Sequence, residues 1–203
     1  MEIGSGGLDM KNFFQTNSFK VCGVDEVGRG PWAGPVIAAA VILPDDFSHI
    51  DLRDSKKMTL KARIKSDIEI RECAIFAFGA ASVREIDSIN IRMATHLAMK
   101  RAVLNLSQIP THIDVDGRDV PVDLPSPATA IIKGDATHPH IAAASIIAKQ
   151  LRDRLMTALA ARHPHYGWET NAGYGTKAHQ NGLAQNGICA HHRVSFKPIA
   201  ALE

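Results

Sequence analysis

Residues 19–27 and Val36–Leu43 are apolar runs of strand length, separated only by the Gly- and Pro-rich stretch Gly28–Pro35. A link that short joins antiparallel neighbours, because a parallel return needs a crossover of about a dozen residues or more. The first run, with Phe19, Val21, Cys22, Gly23 and Val24, ends on the acidic pair Asp25-Glu26. Carboxylates placed between two buried strands need a cationic partner, a shifted ionisation or a bound metal. The Gly28-Arg29-Gly30 turn beside them can bring backbone N–H groups and one guanidinium to an anion.

The rest of the chain alternates helix and strand. Thr59 is placed to cap a helix running to about Glu72, with Leu60, Ile64 and Ile68 recurring on one face. Residues 74–83 suit a third strand. Ser88 or Asn90 is the expected cap of the next helix, whose inner face reads Ile91, Ala94, Leu97, Ala98, Val103 and Leu106, and Pro110 ends it. Short strands follow at 113–115 and 128–132. A long helix spans 141–161, with small residues in its first turns. An aromatic and glycine-rich loop at 166–175 precedes a last helix at 176–186, closed by Gly187. Residues 188–203 carry no strong periodicity. This order predicts an α/β fold with a mixed sheet.

Residues 1–18 read as a flexible tail and 19–203 as one domain. With 203 residues, 45% of them hydrophobic, the chain can bury a real core. No apolar run approaches the roughly 20 residues of a membrane span, and the start lacks the pattern of a signal peptide, so a cytoplasmic protein is expected. Cys22, Cys73 and Cys189 form no paired motif and read as buried free thiols. The net charge of +2 does not by itself announce a nucleic-acid binder. The histidines, including His179, His191 and His192, read as packed or surface residues rather than metal ligands.

Carboxylates recur where strands end: Asp25-Glu26, Asp116 before Gly117, and Asp135 after Gly134. Ligands of open α/β sheets bind at strand ends, so these acids converge from distant positions. Alone, Asp116 fits a turn and Asp135 fits a helix cap; together they suit Mg²⁺ or Mn²⁺, which take oxygen ligands. Strand alternation sends Asp25 and Glu26 to opposite faces, which makes Asp25 the central ligand and Glu26 the outer one.

The motif 23–31, with Ala33-Gly34-Pro35-Val36, closely resembles the N-terminal motif of the ribonuclease HII family. So do Asp54-Ser55-Lys56-Lys57, Val115-Asp116-Gly117, Lys133-Gly134-Asp135, the stretch 143–149 with Arg152-Asp153, Gly173-Tyr174-Gly175-Thr176 and 192–196, all in the family's order. The resemblance implies a ribonuclease H-like fold, with a mixed sheet of about five strands, flanking helices and a small C-terminal helical segment. It implies an endonuclease that cuts the RNA strand of RNA–DNA hybrids, and 5′ of single ribonucleotides in duplex DNA, leaving 5′-phosphate and 3′-hydroxyl ends. By the same resemblance Asp25, Glu26, Asp116 and Asp135 hold two Mg²⁺ or Mn²⁺ ions. Gly28, Arg29 and Gly30 read the ribonucleotide, Tyr174 is an aromatic platform, and Ser55, Lys56, Lys57, Ser145 and Lys149 hold phosphates. The loop before Gly173 departs from the family, with Asn171-Ala172 where a His-Lys pair is common. A monomer is expected. The rival reading is a hybrid-binding module on the same fold without the chemistry.

Overall fold

The computed structural model describes residues 20–48, 50–52 and 58–202. The expected tail and the Ser55-Lys56-Lys57 phosphate contacts lie outside these residues. Five strands form one sheet: β1 (Val21–Val27), β2 (Val36–Ile42), β3 (Ile75–Ala81), β4 (His112–Asp116) and β5 (Ala128–Ile131), in the order β3-β2-β1-β4-β5. β1 and β2 are antiparallel, with Asp25 opposite Ala39 and Glu26 opposite Ala38, and β3 continues antiparallel to β2. β4 and β5 add in parallel on the other side of β1. The mixed sheet is thus the expected one.

Helices cover both faces. On one lies α2 (Val83–Leu104), over Cys22, Val24, Val36, Ala38, Ala40, Ile113 and Val115. On the other lie α1 (Leu60–Cys73) and α3 (Pro139–Arg162), over Ala39, Val41 and Leu43. The small residues 142–144 of α3 permit its close approach, and a Cβ on Gly23 of β1 would collide with the backbone of His140 and Ile141. The C-terminal segment has its own small core of Ala33, Met156, Tyr166, Trp168, Leu183 and Ile199. It contains α4 (Trp168–Asn171), α5 (Lys177–Asn186) and α6 (Lys197–Ala200).

The caps agree with the sequence in part. Thr59 accepts from Ala62 N–H at the start of α1, and Thr176 caps α5. α2 starts earlier than expected, at a Ser82–Glu85 capping box. The chain then breaks at Asn90 (φ 67°), whose side chain accepts from Arg92 and Met93 N–H. Asn90 therefore does cap, but at a kink inside the helix.

The direction of one helix face is settled and one expectation is corrected. Leu60, Ile64 and Ile68 face solvent, while Ser66, Asp67 and Ile70 turn inward. Asp67 bonds Arg71 within the helix and Arg154 of α3, so buried Ile70 and the Asp67–Arg154 pair, rather than the apolar stripe, face the body of the protein. Of the cysteines, only Cys22 is fully buried, and Cys73 is exposed at the end of α1. No helix among the described residues is long and apolar enough to cross a membrane.

Candidate active site

β1 delivers its two acids to opposite sides of the sheet, as alternation requires. Asp25 lies on the α3 side, 4% exposed, and the Ser145 hydroxyl of α3 bonds its carboxylate. The Glu26 N–H also donates to Asp25 Oδ1, at 2.7 Å. Glu26 turns to the α2 side, into a recess of about 630 Å³ lined also by Arg29, Arg92, Thr95, Asp116 and Lys133. Asp116, at the last position of β4, is the acid common to both, since its charge acts on Asp25 and on Glu26. The two acids thus meet around the sheet end rather than by sharing a face.

The electrostatics are those of excess buried negative charge. Burial pushes Asp25 well above the usual carboxylate range, and the charges of Glu26 and Asp116 push it further. Burial also raises Glu26, with Arg29 acting against it across a 3.6 Å ion pair. Asp116 Oδ1 accepts the Gly134 N–H at 2.7 Å, which ties β4 to the short helical turn Gly134–Ala136. Asp135 is in that turn, half-buried and outside the lining of the recess. It does not cap α3, whose N-cap is His138. Among the described residues, no three His, Cys, Asp or Glu side chains stand together as a ready-made metal cage.

The other expected contacts fall into two groups. Arg29 and Gly30 are exposed on the turn after β1, and Gly28 (φ 96°) is buried beneath them, in a backbone conformation that favours glycine. Tyr174, 48% exposed, lies beside this turn, since a Cβ on Gly30 would sit 3.3 Å from its ring. By contrast, Ser145 is buried against Asp25, and Lys149 is paired with Asp153 at 2.6 Å. The structure therefore groups Ser145 with the acids rather than with an outer phosphate track.

The Tyr174 loop is held from within. Asn171 is buried, donating to the Tyr166 carbonyl and accepting the Gly173 N–H. His179 Nδ1 is 3.0 Å from the Tyr174 carbonyl, and its Nε2 is reached by Trp168 Nε1–H and by His192 Nε2. A carbonyl only accepts, so His179 carries its proton on Nδ1 and accepts at Nε2. The nearer partner of His192 Nδ1 is the Cys189 N–H, at 2.9 Å against 3.3 Å to the Cys189 carbonyl, which favours the proton on Nε2. Both rings are thus neutral, and burial holds both below the usual histidine range, His192 at about 4. The sequence reads these histidines as packed or surface residues, and their service to Tyr174 has no local signal.

The sequence model described as "Ribonuclease HII" matches residues 22–199. A ribonuclease HII of Jannaschia sp. (strain CCS1) is 52% identical over 182 residues, covering 90% of this chain and 92% of that protein. One of Paracoccus denitrificans (strain Pd 1222) is 53% identical over 180 residues, covering 88% and 85%. The crystal structure of the ribonuclease H2 from Pyrococcus horikoshii OT3 superposes with a TM-score of 0.78 at 25% identity, covering 91% of this chain and 97% of that one. With a matching sequence model over most of its length and relatives above half identity, this chain belongs to the ribonuclease HII family.

Proposed function

We propose that this chain is a metal-dependent endonuclease that hydrolyses the RNA strand of RNA–DNA hybrids and cuts 5′ of single ribonucleotides in duplex DNA, leaving 5′-phosphate and 3′-hydroxyl ends. One observation carries the reading. The charges of Asp25, Glu26 and Asp116 act on one another at the end of β1, and the turn leaving that strand presents Gly30 beside an exposed tyrosine ring.

In this reading Asp25, Glu26, Asp116 and Asp135 hold divalent ions. The donor set fits: it is all oxygen, and its excess buried negative charge calls for a hard cation such as Mg²⁺ or Mn²⁺. Two such ions, when bound, supply an activated water and charge stabilisation at the leaving 3′ oxygen. Ser145 orients the Asp25 carboxylate and favours its ionised form. The Gly28-Arg29-Gly30 backbone reads the 2′-OH, the group that distinguishes RNA from DNA, and Tyr174 stacks beside it. Lys149, with Ser55, Lys56 and Lys57, holds flanking phosphates, and the single chain works as a monomer.

The test is Mg²⁺-dependent cleavage of two duplexes that differ by one ribonucleotide. Cutting on the 5′ side of the ribonucleotide, with the all-DNA duplex left intact, is expected. Binding without cleavage would establish the hybrid-binding module instead, and equal cleavage of both duplexes would remove ribonucleotide recognition.

A further inference from the structure

Arg152 and Arg193 are two of the largest fully buried side chains, at 1% and 0% exposure. Neither pairs with a carboxylate among the described residues. The acids whose charge reaches them are engaged elsewhere, Asp87 by Val194 and Ser195, and Asp153 by Lys149 and Arg63. Instead both guanidiniums bond main-chain carbonyls. Arg193 donates to Gly28 at 2.6 Å, to Arg29 at 2.9 Å and to Gly34 through two nitrogens. Arg152 donates to Ala33, Pro35 and Ala172.

Burying two like charges without counter-ions is costly, so the arrangement calls for a reason beyond packing. The geometry supplies one. In a trans peptide the C=O of one residue and the N–H of the next point in opposite directions. Drawing the Gly28 and Arg29 carbonyls inward therefore turns the N–H groups of Arg29 and Gly30 outward. Both residues are exposed, and neither N–H donates to a backbone carbonyl among the described residues. Only a planar fork with several donors can hold carbonyls as far apart in sequence as Gly28 and Gly34.

We propose that Arg193, assisted by Arg152, is a positioning residue for ribonucleotide recognition, holding the turn so that the Arg29 and Gly30 N–H groups meet the ribose and its phosphate. This rests on the reading of the turn under the proposed function. The deciding variant is Arg193→Lys, which keeps the charge and loses the fork. Its kcat and KM are measured on duplex DNA with one ribonucleotide and on a long RNA–DNA hybrid. A rise in KM of about tenfold on the single ribonucleotide, with less than about threefold change on the hybrid, is expected. Arg152→Lys should move the same ratio less. Equal loss on both substrates, or no loss, overturns the proposal. Gly30→Ala separates the two ideas: if it also leaves the ratio unchanged, the reading of the turn has failed, not only the role of Arg193. Should Arg193→Lys not fold, proton exchange at the Arg193 side chain of the wild-type protein decides. Slow exchange of its Nε–H, with Arg29 and Gly30 amide shifts on adding the ribonucleotide duplex in EDTA, supports the proposal, and fast exchange or unmoved amides overturn it.

Discussion

Asp116 Oδ1 accepts the Gly134 N–H at 2.7 Å. This one bond joins the last residue of β4 to the short helical turn that carries Asp135. Asp116 also spans the two faces of β1, acting on Asp25 and on Glu26 alike. Its position puts one charge within reach of both members of an acidic pair split by strand alternation.

Asp25→Asn should abolish cleavage, by at least about a thousandfold, while the protein stays folded. It should also stabilise the metal-free protein. Asp25 has its pKa raised by folding, so its ionisation costs stability, a cost that grows from the ordinary carboxylate range up to the raised value and is complete above it. A gain in stability at pH 8, read from urea denaturation with EDTA present, is expected. A less stable variant would show that the carboxylate is not under electrostatic strain.

Mg²⁺ or Mn²⁺ without substrate should raise the unfolding temperature, and EDTA should reverse it. The rise should be larger at pH 8 than at pH 6, because more of the raised carboxylates are ionised there. Differential scanning fluorimetry at the two pH values checks this, with Asp25→Asn expected to lose most of the increment.

Ser145→Ala removes a hydroxyl that lowers the Asp25 pKa. Asp25 should then ionise at higher pH, so the acid limb of the rate profile should move to higher pH and metal binding at pH 7 should weaken about three- to tenfold. Calorimetric titration with Mn²⁺ and a pH–rate series give both numbers. An unmoved acid limb would return Ser145 to a packing role.

Tyr174→Ala should lower kcat/KM on duplex DNA with one ribonucleotide by about tenfold or more, and on a long hybrid by less. Tyr174→Phe should keep both near wild type, since the ring and not the hydroxyl makes the platform. Parallel loss on the two substrates would make Tyr174 a general structural residue.

Acid should loosen the loop behind Tyr174. His192 titrates near 4 in the fold against 6.5 unperturbed, and His179 is lowered as well. Above pH 6.5 both states are neutral; below it the unfolded chain takes up protons that the buried rings refuse, so stability falls as pH drops toward about 4. His192→Phe should flatten that part of the curve in urea midpoints measured from pH 7 to 4.5. A slope as steep as wild type would place its origin elsewhere.

The β1–β2 pair, the acids at strand ends and the glycine turn were legible because each is written in neighbouring residues. Strand period, turn chemistry and charge in an apolar setting are local properties. The direction of the Leu60-Ile64-Ile68 stripe was not, because burial of a helix face depends on what packs against it, and here Ile70 enters the core and Asp67 bonds Arg154 of α3. Nor could sequence place Arg193 under Arg29, 164 residues away, or set His179 and His192 behind Tyr174. Their partners are carbonyls and rings brought close only when the C-terminal segment folds back over β1 and α3. The chain by itself placed Asp25-Glu26 and Asp116 at strand ends, whereas Asp135, expected at one too, lies past β5 in the short turn Gly134–Ala136. The tertiary structure decided how Glu26 joins the others, around the end of the sheet through Asp116, because alternation splits the pair and only the neighbouring strand rejoins it.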